Sequence, residues 1–198
     1  RSAPVALLTS RIHEVIVTTI SENGKVHSAP MGISEVNGHF HIKPFKPSST
    51  YDNLLRHGQC SINFVDDVRI FAGALTGHRD WPTSPCQQIE GEYIADALSH
   101  IELEIVRLED DDPRACFYGA VICDVNHKPF RGFNRAQNAV IEAAILVSRL
   151  GMLPEHKVRD EIDYLTIAIE KTAGERELQA WSWLMEKVEQ SGIKLNDN

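Results

Sequence analysis

The chain has few cysteines, and they lack the spacing that marks a metal or redox centre. Cys60, Cys86, Cys116 and Cys123 form no C-x-x-C pair, so the sequence predicts neither a zinc ribbon nor a redox dithiol. Three of the four lie in or beside apolar runs, which is typical of buried, reduced thiols in a cytosolic protein. A chain of 198 residues can bury a sufficient core without disulfides.

Basic charge is also scarce. Lys and Arg together number 20 against 28 Asp and Glu, giving a formal net charge of −8. Non-specific binding to nucleic acid or to anionic membranes needs clustered Lys and Arg, so we expect neither partner. A local basic pocket could still hold one small phosphorylated ligand.

Long apolar segments are missing as well. No run reaches the roughly 18 residues that span a bilayer, and there is no signal peptide. Since the first residue is Arg rather than Met, we expect a trimmed start, and we predict a cytoplasmic protein.

The motifs of several catalytic classes are absent. No nucleophile elbow, triad order or Walker loop occurs, and the sequence assigns no catalytic residue. His39 and His41 share one face of a predicted strand, but no motif places a third metal ligand beside them. We therefore predict no metal site.

Residues 12–128 have the pattern of strands and tight turns. Asn23-Gly24 and Asn37-Gly38 suit hairpin turns that need positive φ angles. The predicted strands cover residues 15–20, 26–36, 39–44, 60–65, 101–108 and 116–125, with a short helix at 50–57, an undecided segment at 68–75 and a loop at 76–92. Six strands with tight turns indicate a closed barrel rather than a βαβ sheet.

From residue 134 the apolar period becomes helical. Asn134, followed three residues later by Gln137, predicts a capping box at the start of a helix that ends near Gly151. Two further helices are predicted at 155–173 and 175–190. Because the first helix is apolar on nearly all sides, we expect the barrel or a partner subunit to bury it.

One segment, residues 43–54, carries a recognisable chemistry. Lys43 and Lys46 precede three hydroxyl residues, Ser48, Ser49 and Thr50, at the start of the short helix. Helix N-termini offer unpaired N–H groups and a partial positive charge, which suit a phosphate. Asn53, one turn on, could add its amide. Alternatively, Ser49 or Thr50 only caps the helix and the lysines are solvated.

Two further segments accompany it. Pro30 and Gly32 flank Met31 in the second strand, where Pro cannot donate to a ladder and Gly permits a close approach to the backbone. This favours either a wall for a flat aromatic ring or an edge strand with a bulge. Residues 63–67 offer polar groups that could face a ligand or cap the next helix; the pair Asp66-Asp67 suits a helix start better than an acid–base pair.

Together, residues 29–32, 43–54 and 63–67 resemble the FMN-binding split barrels related to flavin reductases. With residues 132–136 and 139–144 added, the chain is similar to an uncharacterised subfamily classed as a domain of unknown function. That subfamily occurs in methanogenic archaea and in bacteria that use methanopterin-linked one-carbon metabolism. The resemblance implies a mainly β fold with α: a six-stranded Greek-key split β-barrel at 1–130 and a C-terminal helical subdomain at 131–198.

The resemblance also implies a homodimer with FMN across its interface. It assigns three groups of contacts: the phosphate to Lys46, Ser48, Ser49, Thr50 and Asn53; the ring to the backbone around Pro30, Met31 and Gly32; and the flank of the ring to Asn63, Val65, Asp66 and Asp67. Lys43 is the candidate for stabilising the reduced ring. Whether Asn134 and Arg135 contact flavin, substrate or only their own helix is left open.

The function implied is that of an FMN-dependent oxidoreductase, in which flavin carries out the electron transfer. The metabolic setting of the subfamily extends this to a pterin-like substrate. The alternatives are a non-catalytic FMN-binding or regulatory module, and a split barrel that holds haem or deazaflavin instead.

Overall fold

The computed structural model describes residues 10–195. Their contacts form two compact units whose segments alternate along the chain. The barrel unit contains residues 10–63, 84–93 and 100–125, and the helical unit contains residues 64–83, 94–99 and 126–195. The division into domains at residue 130 stays a prediction.

Six strands form the closed antiparallel barrel that the sequence predicts. The strands of the described residues are β1 Ile12–Ile20, β2 Val26–Val36, β3 His39–Ile42, β4 Gln59–Phe64, β5 Thr83–Pro85, β6 Glu92–Ile94, β7 Ser99–Glu109 and β8 Cys116–Asn126. The barrel order is β1-β2-β3-β8-β7-β4, and β4 closes it against β1, with Ile16 opposite Asn63. The fold class is therefore confirmed.

The two remaining strands correct the expectation of a loop at residues 76–92. β5 and β6 pair with each other in a two-stranded sheet, although most of this region is predicted as loop. Each has only three residues, too few to show the alternation by which a strand is recognised in sequence.

Local signals fix the hairpins and the core of the barrel. Asn37 and Gly38 both have positive φ, at 52° and 77°, so the predicted turn is present. Residues 15–19 of β1 are buried without alternation, as expected for a strand covered on both faces. Gly119 on β8 lies so close to β7 that an added Cβ would stand 2.8 Å from Leu103 Cδ1.

The described part of the chain also forms five helices. They are α1 Ser49–His57, α2 Arg69–Thr76, α3 Arg135–Val147, α4 Glu155–Thr172 and α5 Glu175–Gln190. None of the helices formed by residues 10–195 has the length and apolarity needed to cross a bilayer. The undecided segment at 68–75 is thus mostly helix.

The core of the helical unit lies around α3. Its buried side chains form one apolar cluster with residues of α2, α4 and α5, including Ala72, Val158, Ile162 and Leu184. These helices bury α3, whereas the sequence predicts that the barrel or a partner subunit does so.

The predicted capping box at the start of α3 is only half formed. Asn134 Oδ1 accepts a hydrogen bond from the Gln137 N–H at 3.0 Å. The Gln137 side chain, however, donates to the carbonyl of Asp66 instead of returning to Asn134.

Candidate functional site

The N-terminus of α1 is capped by the first of the three predicted hydroxyl residues. Ser48 has extended backbone angles, and its Oγ accepts from the N–H of Tyr51 at 3.2 Å. The alternative, in which Ser49 or Thr50 caps the helix, is therefore wrong in position, because Ser48 is the cap and Ser49 and Thr50 are the first two residues of α1. Ser49 is exposed, and the amides at the start of an α-helix lack acceptors within the helix. The corner thus retains donors for an anion.

Lys46 supplies the positive charge of this corner and is held by two carboxylates. Its Nζ lies 2.8 Å from Asp110 Oδ1 and 2.9 Å from Asp112 Oδ1. The hydrogen bond to Asp110, then that to Asp112, raises the pKa of Lys46 above its ordinary value. In return, the hydrogen bond from Lys46 lowers the pKa of Asp110. Tyr51 also donates its hydroxyl to Asp110, at 3.0 Å.

The segment before α1 is fastened to the turn between β7 and β8. The Lys46 N–H donates to the carbonyl of Pro113 at 3.0 Å, and Arg114 Nε donates to the carbonyl of Lys43 at 3.2 Å. Lys43 itself is exposed. These two bonds hold the backbone at residues 43 and 46 beside the β7–β8 turn.

Three predicted polar contacts lie inside the barrel unit. Thr50, Asn53 and Asn63 are 2%, 7% and 0% exposed. Asn53 Nδ2 donates to Thr19 Oγ1 at 2.9 Å, and Asn63 Nδ2 donates to the carbonyl of Ile16 at 2.9 Å. Both amides thus join neighbouring elements to β1, which fixes the position of α1 and β4.

The predicted ring wall lies on a strand that is paired mainly on one side. Pro30, Met31 and Gly32 stand opposite Ile16, Val15 and Glu14 of β1. Within the described chain, the register of β2 with β3 begins only at Ser34. The edge-strand part of the alternative therefore fits residues 30–32, but the register with β1 is continuous and has no bulge there. A flat ligand could lie against this edge.

Four predicted contacts belong to the helical unit. They are Val65, Asp66, Asp67 and Arg135. Asp67 is buried, and its Oδ1 accepts from the Arg69 N–H at the start of α2, while its Oδ2 lies 2.7 Å from Arg69 Nη2. This bears out its reading as a helix start. Arg135, the first residue of α3, lines a shallow groove with Asn138 and Tyr164.

The described residues contain one group able to share a metal ion, and the sequence did not predict it. Ligand atoms of Cys86, His100 and Glu102 lie within 4.8 Å of one another. His39 and His41 are not part of it; the His41 ring contacts Tyr118 instead, with ring centroids 4.5 Å apart. The only sequence signal was the His-x-Glu pair, which strand alternation places on one face.

The surroundings of Glu102 favour its charged form despite its burial. Burial opposes the charged form, but backbone N–H groups and the hydrogen bond from His100 outweigh it and hold the pKa of Glu102 below its ordinary value. Burial also raises the pKa of the Cys86 thiol to about 12, with a further contribution from Glu102.

Sequence comparison places most of the chain in one family. Residues 13–128 match the N-terminal domain of a protein of unknown function, DUF447, and residues 134–186 match a second DUF447 region. An uncharacterized protein of Methanocaldococcus jannaschii is 29% identical over 145 residues, which are 70% of this chain and 74% of that protein.

Solved structures share the fold. An FMN-bound DUF447 protein of Methanosarcina mazei superposes with a TM-score of 0.76 at 21% identity, over 91% of this chain and 96% of that one. The 2-nitrobenzoate 2-nitroreductase of Pseudomonas fluorescens gives 0.51 at 19% identity, over 61% and 67% of the two chains. An FMN-binding protein of Thermus thermophilus with bound p-hydroxybenzaldehyde gives 0.52 at 14% identity, over 67% and 82%.

Proposed function

Since the chain belongs to the DUF447 family, we propose that it is a flavoprotein that binds FMN. The observation that carries the proposal is the fold shared, over 91% of the chain, with a DUF447 protein solved with FMN bound. The corner at the start of α1 adds chemical support, because it combines a helix N-terminus, hydroxyls and two lysines.

The residues of this corner fit the phosphate group of FMN. We propose that Lys46, Ser48, Ser49, Thr50 and Asn53 hold the phosphate, and Asn53 also fixes the position of the helix on β1. A phosphate dianion would compete with Asp110 and Asp112 for the ammonium of Lys46. Binding should therefore weaken as salt rises, since exposed charges are screened.

Other predicted contacts would bind the remainder of FMN, including its ring. The half-paired edge at Pro30, Met31 and Gly32 would face the ring, and Asn63, Val65, Asp66, Asp67 and Arg135 remain proposed contacts. Lys43 is proposed to place its positive charge near the ring's N1–C2=O edge, where it would favour the reduced, anionic form.

We propose further that the protein is an FMN-dependent oxidoreductase of the cytoplasm. Bound flavin supplies the electron transfer, and the protein supplies binding, orientation and electrostatics. The shared fold with a nitroreductase supports this reading. A pterin-like substrate remains part of the proposal.

A homodimer with FMN at its interface is proposed as the working form, with a barrel domain at 1–130 and a helical subdomain at 131–198. Exposed apolar side chains on the barrel unit support association. Val106, Val121 and Ile122 are 55%, 45% and 43% exposed, so they are available for contact with a second copy of the chain.

Flavin binding is tested by titrating the purified protein with FMN and following flavin fluorescence. Lys46→Ala should weaken binding at least about tenfold, because a hydrogen bond to a charged group contributes roughly 1.5–3 kcal/mol. Lys25→Ala, which removes an exposed lysine from the β1–β2 turn, is the matched control. Equal affinities for the two variants would remove the corner from the proposal.

Identity of the ligand and turnover are tested separately. Mass spectrometry of the ligand released on denaturation distinguishes FMN from haem and deazaflavin. Oxidation of nicotinamide donors by the FMN-loaded protein, followed with a pterin as acceptor, distinguishes an oxidoreductase from a binding module. Tight FMN binding without turnover would leave only the binding module.

A further inference from the structure

The buried polar group of the barrel unit lies between β7 and the loop after β5. His100 and Glu102 are alternate residues of β7 and share one face of the strand. Both are fully buried, whereas Cys86 is half-buried. The loop that carries Cys86 is closed by a hydrogen bond from its N–H to the carbonyl of Gly91 at 2.9 Å.

Glu102 is fixed by three consecutive backbone amides of this loop. Its Oε1 accepts from the N–H of Gln87 at 2.6 Å, and its Oε2 accepts from those of Gln88 at 2.7 Å and Ile89 at 3.1 Å. These bonds orient the carboxylate. They also hold Gln87, the residue after Cys86, beside the carboxylate. Hydrogen-bonded support of this kind is what a carboxylate ligand of a metal requires.

His100 is also held in one orientation. Its ring stacks on that of Tyr93, with centroids 4.0 Å apart and planes 2° from parallel. In this position His100 Nε2 lies 3.1 Å from Glu102 Oε1. A nitrogen and an oxygen bound to one tetrahedral metal ion at about 2.0–2.2 Å lie roughly 3.3 Å apart, so the two atoms already have this spacing.

The sulfur completes the set with little movement. All three ligand atoms are within 4.8 Å of one another, and sulfur and nitrogen ligands of a tetrahedral ion lie roughly 3.6 Å apart. Cys86 therefore has to approach by no more than about 1 Å, which rotation of a half-buried side chain can provide.

The donor set selects the class of metal. Mg²⁺ and Ca²⁺ take oxygen ligands, while thiolate and imidazole together favour zinc among the divalent ions that lack redox chemistry. Three protein ligands leave one position of a tetrahedral ion for water or another small ligand.

We propose that Cys86, His100 and Glu102 form a zinc site with an open fourth position. On binding, Zn²⁺ displaces the proton of the Cys86 thiol, which passes to solvent. His100 coordinates through Nε2 as a neutral imidazole with its one ring proton on Nδ1, and no group is oxidised or reduced. The proposal is independent of flavin binding, because none of its ligands belongs to the α1 corner.

The test is metal binding by the full chain after removal of bound metal with a chelator. Titration with Co²⁺ should produce a thiolate-to-cobalt charge-transfer band and the strong visible bands of tetrahedral Co²⁺, saturating at one ion per chain. Zn²⁺ should displace the cobalt and abolish both sets of bands. Difference spectra remove any flavin absorbance.

Two cysteine variants identify the site. Cys86→Ser should abolish the charge-transfer band and weaken zinc binding by more than about tenfold. Cys123→Ser, which alters a half-buried thiol 3.8 Å from Gln87 Oε1, should keep both. The absence of a charge-transfer band in the wild type would overturn the proposal even if Cys86→Ser failed to fold. So would a band that Cys86→Ser left unchanged.

Discussion

Asp96 is the centre of the ion pairs in the helical unit. Its carboxylate contacts Lys128 Nζ and lies 3.4 Å from Arg176 Nη1, which is also 3.8 Å from Asp67 Oδ2. The hydrogen bond from Lys128 is the largest influence on Asp96, and with Arg176 it holds the pKa of Asp96 below its ordinary 3.8, although burial opposes this. A carboxylate whose pKa is lower in the folded protein than in the unfolded protein stabilises the fold at pH values above its unfolded-state pKa. That stabilisation is lost as the pH falls through the folded pKa.

The pH dependence of stability should therefore change in Asp96→Asn. At pH 7 we expect the variant's free energy of unfolding to fall by no more than about 1 kcal/mol, because the Asp96 side chain is 48% exposed and its pairs are screened. Well below pH 3.8 the difference should shrink towards zero. Urea unfolding at the two pH values measures it. Asp160→Asn, at an exposed position of α4, is the control; an equal difference at both pH values would contradict the assignment.

At the scale of elements, the start of α3 shows how one side chain joins two helices. Asn134 caps α3 through the Gln137 N–H, and its Nδ2 donates to the carbonyl of Thr172 at the end of α4, at 3.0 Å. The Thr172 hydroxyl in turn accepts from the Ala136 N–H at 3.0 Å. The cap therefore stabilises both the helix and its packing against α4.

Asn134→Ala should lower the free energy of unfolding by about 1–2 kcal/mol, because removal of an N-cap leaves an amide without its acceptor. Asn138→Ala, an exposed site on the same helix, should change it by less than about 0.5 kcal/mol. Thermal or urea unfolding of the two variants gives the comparison. Similar losses in both would mean that helix propensity, not the cap, is responsible.

At the scale of the whole molecule, the proposed homodimer sets the expected mass. Light scattering after gel filtration should give about twice the 22.2 kDa of one chain. Ile122→Lys should shift the mass towards that of the monomer, because a charge on an apolar interface is costly to bury. Met152→Lys changes a side chain that is 73% exposed in the helical unit and should leave the mass unchanged. A monomer at all concentrations would contradict the dimer.

The amino-acid sequence by itself determined the six barrel strands, α1 and the three C-terminal helices, but it left α2 undecided and missed β5 and β6. The Asn-Gly turn at 37–38, the helix cap at Asn134 and the strands of the barrel all depend on neighbours within a few residues. The cap of α1 was expected at Ser49 or Thr50 and lies at Ser48. Such signals can be read locally. The family resemblance added the split barrel and FMN as its expected ligand.

Only the tertiary structure decided which distant groups meet. Lys46 and Asp110 are 64 residues apart in sequence and pair because the β7–β8 turn lies beside α1. Asn53 joins β1 rather than facing outwards. Cys86 reaches His100 and Glu102 because the loop after β5 folds over β7. These contacts form only when the barrel closes. Because the partners are far apart in sequence, no local sequence pattern predicts which residues will meet.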